Sequence, residues 1–136
     1  RGQSVGSERG LWHNLPDEAA RHLTEAGPVE QLPPRYRAIV ARYVLDLSQV
    51  IHEAARVLKP GGHLVLVMGD TSIRGVYVRN SAIARSAAAA AGLRLKATRT
   101  RDILAHRRYL PPPSGQQRGI QRRIGTETIL TFRKSA

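Results

Sequence analysis

The stretch RVLKPGGHLVLVMGD, residues 56–70, decides which fold the sequence predicts. Its first half ends a helix, because Pro60 cannot continue one and Gly61 and Gly62 allow a tight turn. The seven residues that follow, HLVLVMG, lack the alternation of polar and apolar side chains that a half-exposed strand shows. Such a run is typical of a strand buried on both faces of a parallel sheet. The stretch therefore predicts a helix, a turn and an inner strand of an α/β fold.

The helix before this turn is predicted to begin at Arg35 and to end near Leu58. Apolar side chains recur there at intervals of three and four, which is the pattern of an amphipathic helix; they are Ile39, Val40, Tyr43, Val44, Leu47, Val50, Ile51, Ala54 and Leu58. Residues 1–34 are rich in Gly and Pro and predict loop with at most a short helix over 17–26. We therefore divide the chain into a loop-rich N-terminal segment, 1–34, and a structured part, 35–136.

Three further elements follow the inner strand. SAIARSAAAAAG predicts a helix that Asn80 or Ser81 caps and Gly92 ends, and LRLKATRT from Leu93 predicts a second strand. TETILTFRK from Thr126 predicts a third strand, after a basic, Pro-rich and Gly-rich loop of roughly twenty residues. This order favours two parallel strands joined by a right-handed crossover and a final antiparallel strand.

Two helices can cover only one face of such a sheet. The apolar run 64–68 requires other structure to cover both of its faces and a paired strand at both of its edges. We therefore expect the missing cover to come from segments outside this chain or from another copy of it.

The net charge favours a polyanionic partner. The chain carries 22 Lys and Arg against 10 Asp and Glu, a formal charge of +12. Such an excess favours phosphate contacts and counterion release. Residues 99–134 hold nine basic and only two acidic side chains, so the charge is concentrated there. Nucleic acid is the preferred partner over a membrane.

The sequence does not indicate several classes of protein and functional site. The absence of cysteine excludes a disulfide framework, a thiol nucleophile and thiolate zinc sites. The five histidines show no metal-ligand spacing, and no serine lies in a nucleophile-elbow pattern. No apolar run approaches the roughly eighteen residues of a membrane span. We expect a soluble, cytoplasmic protein without a metal site.

The larger motifs resemble a known family. A helix ending in RVLKPGG, a strand ending in Gly-Asp, a helix ending in Ala-Gly-Leu and the last strand TETILTFRK are similar to the C-terminal half of class I S-adenosylmethionine-dependent methyltransferases. SVGSERG (4–10), GDTSIRGVYVRNS (69–81), RRYLPPP (107–113) and GTETILTFRK (125–134) resemble more narrowly the amino-methylating DNA methyltransferases, which act on adenine N6 or cytosine N4. The resemblance implies a partial Rossmann-like sheet, strands five to seven of seven with the final one antiparallel, and two main helices.

Two family motifs are missing. No Asp/Asn/Ser-Pro-Pro-Tyr/Phe tetrapeptide, which holds the base in that family, occurs in the chain. No Gly-rich turn lies between a strand and a helix, as cofactor binding requires. Catalytic and cofactor-binding residues therefore remain unassigned, and Arg1 resembles a cut just after the active-site loop. The family implies S-adenosylmethionine as cofactor, with its binding site largely outside this chain.

Two groups of residues are candidates for contact with substrate or nucleic acid. Asp70 follows the inner strand, where open α/β sheets bind ligands, although it could equally cap the next segment. Arg74 and Arg79 could bind phosphate and Tyr77 could stack on a base, although an exposed connector would have the same composition. Farther along, Arg107, Arg108 and Tyr109 offer phosphate contacts and a stacking ring on a proline-rich stem. A solvated loop is the other interpretation of these three residues.

These observations predict part of a site-specific DNA methyltransferase, of the restriction-modification kind, that methylates an exocyclic amine of adenine or cytosine. Two alternatives stay open: a basic nucleic-acid-binding module without catalysis, and a fragment of an RNA (guanine N2) methyltransferase. DNA is the expected partner and RNA the alternative. An exposed sheet edge would also permit self-association or association with the missing half.

Overall fold

The computed structural model describes residues 15–104 and 125–136, and these form helices packed on one side of a small sheet. The helical elements are α1 (Asp17–Thr24), a 3-10 turn (Val29–Gln31), α2 (Pro34–Val57) and α3 (Asn80–Ala90). The strands are β1 (His63–Met68), β2 (Thr71–Ile73), β3 (Val76–Val78), β4 (Leu93–Asp102) and β5 (Thr126–Lys134).

Helix α2 confirms the predicted long amphipathic helix, with bounds within a residue of those expected. Pro34 lies in its first turn, where the missing N–H costs nothing. At the other end Lys134 donates from Nζ to the carbonyl oxygens of Ala55, at 2.6 Å, and Leu58, at 2.8 Å. A cation on the last carbonyls of a helix satisfies unpaired acceptors and opposes the negative end of the helix dipole. The end of β5 thus holds the end of α2.

The sheet has the order β1-β5-β4, and β5 is antiparallel to both neighbours. This confirms the predicted antiparallel last strand and gives β1 and β4 the same direction. Leu64 lies opposite Phe132, which in turn lies opposite Leu95. A bulge between Leu95 and Ala97 shifts the register of β4.

The helices cover one face of this sheet. Leu130 and Phe132, on the covered face of β5, are 0 % and 1 % exposed. Helices α1, α2 and α3 pack on one another over them, and the N-terminal residues share this core; its members before Pro34 are Ala19, Leu23, Ala26, Val29 and Leu32. Helix α1 falls within the predicted short helix 17–26. The boundary at 34/35 stays a prediction.

The other face of β1 is open. Val65 and Val67 are 56 % and 51 % exposed. Within the described residues β1 is also an edge strand, since it pairs only with β5. The predicted burial of this strand on both faces is therefore not found among the residues the structure describes, and the expectation that its cover comes from outside this chain stays a prediction.

Residues 71–78 form a hairpin, although the sequence predicts no strand between β1 and α3. Strands β2 and β3 pair antiparallel, with Thr71 opposite Val78. Arg74 and Gly75 have φ values of 50° and 80°, the left-handed pair that a tight hairpin turn between twisted strands requires. The prediction missed these strands because each has only three residues and because Arg-Gly is not one of the usual turn dipeptides.

Helix α1 contacts α3 through a buried histidine. His22 Nδ1 lies 2.6 Å from Ser86 Oγ, and His22 is 3 % exposed. Burial lowers the pKa of His22 despite the nearby carboxylate of Glu18. A hydrogen bond from His52, at 2.7 Å, lowers the pKa of Glu18. This cluster holds the helical layer together. Burial favours the neutral form of His22.

Candidate nucleic-acid interface at the end of strand β1

Four elements meet where β1 ends: the two hairpin strands β2 and β3, the first turns of α2 and the start of α3. Helix α2 returns through the turn at Pro60 into β1, which brings its N-terminus to this end of the sheet. Contact between the hairpin and α2 is direct, because the guanidinium of Arg74 lies 5.4 Å from the ring centroid of Tyr36. The site therefore combines a strand end with the N-termini of two helices.

Asp70 organises this end of the sheet. Its Oδ1 accepts hydrogen bonds from the backbone N–H and the Oγ of Ser81, both at 2.9 Å. Its Oδ2 accepts from the hydroxyl of Tyr77 at 2.8 Å. Beside it, the side-chain amide of Asn80 donates to the carbonyl of Gly69 at 2.9 Å. The carboxylate thus joins the strand end, the hairpin and the first turn of α3.

The predicted cap of α3 is wrong in its identity. The N-cap position is Arg79, which makes no side-chain capping bond, and neither Asn80 nor Ser81 caps the helix with its own side chain. Asp70, eleven residues before Ser81, supplies the capping oxygen. The sequence allowed Asp70 either a ligand role or a capping role; the hydrogen bonds show the cap, and the ligand role stays a prediction.

Arg74 and Arg79 are exposed at this site. Arg74 sits at the hairpin tip in a left-handed conformation that is unusual for a residue with a side chain. The backbone N–H of Arg79 donates to the carbonyl of Ala26 at 2.9 Å, which anchors the chain while its side chain faces solvent. Two of the predicted cations thus share one surface with Tyr36, a ring that the prediction left out.

Tyr77 is less available than predicted. Its hydroxyl binds Asp70, and its carbonyl lies 3.0 Å from the position that a Cβ on Gly27 would take. Gly27 itself has a φ of 110°. Only glycine fits such a close approach in that conformation. Tyr77 therefore acts as a support for Asp70 and for the turn at residues 26–27.

Tyr43 is a residue at the site that the sequence assigned to the helix core. It lines a small cavity of about 180 Å³ between α2 and the hairpin. Burial raises the pKa of Tyr43, and the negative charge of Asp70 adds to the effect. Its phenol therefore stays protonated at neutral pH. An apolar stripe at helical spacing does not distinguish such a tyrosine from its core neighbours.

Arg107, Arg108 and Tyr109 lie outside the described residues, as do residues 4–9. The structure brings the predicted residues Asp70, Arg74, Tyr77 and Arg79 together with Tyr36, Tyr43 and Ser81, and their role as a site stays a prediction.

At the end of β1, the described residues do not fit S-adenosylmethionine. Asp70, the acid at the strand end, already accepts three hydrogen bonds and has little capacity left for a ribose hydroxyl. The cavity beside it, about 180 Å³, is smaller than the roughly 300 Å³ at which ligand pockets begin. The turn after β1 leads into a hairpin and not into a helix. It therefore does not form the strand–turn–helix loop that holds the phosphate or ribose of a cofactor in Rossmann-like folds. The described residues also hold no group of three potential metal ligands, and none of their helices has the length and apolar character of a membrane span.

Comparison with solved structures gives the class of fold. The chain is similar to a candidate DNA modification methylase of Thermus thermophilus, in its selenomethionine form and in complex with S-adenosyl-L-methionine. The identity is 22 % in both cases, the TM-scores are 0.50 and 0.52, and 69 % and 72 % of this chain is covered. The likeness shows a shared fold, and the chain spans only 37 % and 39 % of the neighbour's length. The sequence matches no family model, and a search for curated relatives gives no significant match.

Proposed function

We propose that this chain is part of a site-specific DNA methyltransferase that transfers a methyl group from S-adenosylmethionine to an exocyclic amine of adenine or cytosine. The observation that carries the proposal is the sheet order, with an antiparallel strand between two strands of one direction, in a fold shared with a candidate DNA modification methylase that was solved in complex with S-adenosyl-L-methionine. The motif set around GDTSIRGVYVRNS supports the amino-methylating branch.

Within this proposal, the chain binds and orients DNA and the chemical step takes place elsewhere. Arg74 and Arg79 offer two exposed cations beside the N-termini of α2 and α3, which suits the phosphate backbone. Asp70 and Tyr77 hold the hairpin that carries Arg74. Because the described residues do not fit the cofactor, we assign no catalytic residue to them.

A left-handed arginine supports a binding role for the hairpin tip. Asn or Gly is favoured at this turn position, and a longer side chain costs roughly 1 kcal/mol there. The cation–π contact with Tyr36 offsets part of that cost, at roughly 0.5–1 kcal/mol for an exposed pair. The charge of an arginine at such a strained position therefore supports a binding role.

DNA binding tests this part of the proposal. We expect R74A/R79A to bind a short duplex about tenfold more weakly at low salt. The slope of log K against log salt should be shallower by about 0.9 for each phosphate that the variant no longer neutralises. The double variant R56A/K59A is the matched control, since it removes two cations at the far end of α2. If both variants bind DNA equally weakly, Arg74 and Arg79 contribute only general electrostatic attraction and no specific interface. We expect R107A/R108A to weaken binding as well.

Cofactor titration tests the division of labour. We expect no saturable binding of S-adenosylmethionine to this chain by calorimetry. A micromolar isotherm would contradict the inference that the cofactor site lies outside the described residues, while leaving the DNA interface to be judged on its own result.

The charge of +12 favours a second candidate, a basic nucleic-acid-binding module without catalysis. That candidate predicts full function for this chain alone and no dependence on any companion polypeptide. RNA as substrate, including a guanine N2 target, predicts tighter binding to an RNA hairpin than to duplex DNA at the same salt. Methyl transfer from labelled S-adenosylmethionine to DNA, measured with a longer polypeptide that includes this chain, separates the enzyme from the module.

A further inference from the structure

The uncovered side of the sheet carries an ordered pattern of side chains. We call it the open face; its residues are His63, Val65, Val67, Ile129, Thr131, Arg133, Arg94, Ala97 and Arg99, which alternate with the covered residues along β1, β5 and β4. The strand register sorts them into three rows that cross the sheet. The rows differ in chemistry.

The first row is basic. Arg133 lies opposite His63 on one side and opposite Arg94 on the other. Arg133 and Arg94 are neighbours across strands, about 5 Å apart, and like charges in that position repel. Within residues 15–104 and 125–136, none of the three pairs with a carboxylate. A cleft of about 220 Å³ lies beside this row, and its lining residues are Arg94, Lys96, Arg133, Lys134, Ser135 and Ala136. Among the described residues, no Asp or Glu side chain lies within ion-pairing distance of this row.

The second and third rows are mainly apolar. Val65 lies in one row with Thr131 and Ala97, and Val67 lies in the next row with Ile129 and Arg99. Both valines are more than half exposed. Contiguous exposed apolar side chains next to a charged border are typical of a protein interaction site. The outer edge of β1 is also unpaired within the part of the chain that the structure describes.

We infer that the open face is the docking site of an amphipathic polypeptide helix that carries an apolar stripe and, at one end of that stripe, carboxylates. Rows on one face are about 6.7 Å apart, because side chains on the same face are two positions apart along a strand. A helix rises about 5.4 Å per turn. A helix lying along the strands therefore places successive turns over successive rows. Its apolar side chains cover the valines, and its acidic turn reaches the basic row.

Two other occupants would each leave one kind of row unsatisfied. A nucleic-acid backbone would neutralise the basic row but leave Val65 and Val67 in water. A second copy would bring an equal excess of cations, since the rows of the open face named above contain no acid. Glu127, at its border, already accepts a hydrogen bond from Arg101. A partner with both apolar and acidic groups satisfies both kinds of row at once.

A cysteine scan with two designed peptides tests the inference on the full chain. Each peptide is a helix of about four turns with the same apolar stripe, and the acidic turn of one is replaced by lysines in the other. The chain has no cysteine, so V67C gives a single reactive site. The matched control is V57C, because Val57 is 62 % exposed but lies on α2, away from the open face.

We expect maleimide to label V67C and V57C in the free chain, and the acidic peptide to protect V67C alone. The acidic peptide should bind at least about tenfold more tightly than the lysine peptide, and R94E/R133E should reverse that preference. The inference fails if V67C is unreactive in the free monomer, since the chain would then cover itself. It also fails if V67C is protected by self-association in sedimentation runs, if duplex DNA protects V67C while the acidic peptide does not, or if the charge reversal leaves the preference unchanged. None of these results depends on the proposed methyltransferase activity.

Discussion

The two faces of one sheet differ completely in how they are covered, although the same strands build both. On the helical side, Leu130 and Phe132 of β5 have almost no exposed surface. On the open face, Val65 and Val67 of β1 expose half of their side chains. Valine is as apolar as its neighbours, so its residue type does not explain this difference. What differs is whether a second layer of structure is present.

Replacing one buried and one open residue gives the largest expected contrast. Phe132→Ala should lower the free energy of unfolding by about 3–5 kcal/mol, because it removes a buried ring and leaves a cavity. Val67→Ala should change it by less than about 1 kcal/mol, since little buried surface is removed. Chemical denaturation followed by circular dichroism measures both. Equal losses would show that the open face is covered in solution.

The bond that joins the end of β5 to the end of α2 is the next test. Lys134→Met should cost about 1.5–3 kcal/mol, because the last carbonyls of α2 lose a charged donor. Lys96→Met is the control, since Lys96 is an exposed lysine on the neighbouring strand. A loss in the control as large as in the variant would contradict the capping role of Lys134.

The hydrogen bonds at the strand end should give a smaller effect. Asp70→Asn should cost about 1–2 kcal/mol, because the cap of α3 and the acceptor of Tyr77 are both weakened. Tyr77→Phe should cost about 0.5–1.5 kcal/mol, and the double variant should cost less than the sum, because both remove one shared bond. Asp102→Asn, at an exposed strand end, serves as control. Strict additivity in the double variant would contradict a direct bond.

Acid should weaken the helical side through His22. Its pKa is lowered by burial, so between that pKa and the ordinary value near 6.5 the unfolded chain binds more protons than the folded one. Stability should therefore fall as pH drops below about 6.5, by at most about 1.4 kcal/mol per unit for one proton. Glu18, whose pKa is lowered by the bond from His52, should contribute only below about pH 4.5.

His22→Gln separates these two groups. The variant should be less stable at about pH 7 and show a flatter profile between about pH 7 and pH 5. Unfolding midpoints across this range measure the difference. A variant with the original slope would assign the acid effect to other groups.

Much of the helical side could be predicted from local pattern. The intervals of three and four from Ile39 to Leu58 predict α2, and Pro60 with Gly61 predicts its end. The alanine-rich run before Gly92 predicts α3. These signals are local, because helix hydrogen bonds connect residues four apart. The hairpin at residues 71–78 was missed because its turn, at Arg74 and Gly75, lacks a common turn dipeptide.

The site was only partly predictable for a related reason. The position of Asp70 after β1 indicated a functional strand end, but its partners lie seven and eleven residues away and depend on how the hairpin folds back. Arg74 was chosen for its charge, whereas its contact with Tyr36 joins elements far apart in the chain. Tyr43 showed no signal beyond its place in an apolar stripe.

The sequence by itself determined the helices, the turn at Pro60, the apolar strand that needs more cover than two helices supply, and the excess of positive charge. These follow from short-range geometry and from composition. Only the tertiary structure decided that β5 lies between β1 and β4, that Asp70 caps α3, and that three basic side chains share one row of the open face. Each of these depends on strand register and chain reversal, which bring together residues whose separation in the sequence carries no periodic trace.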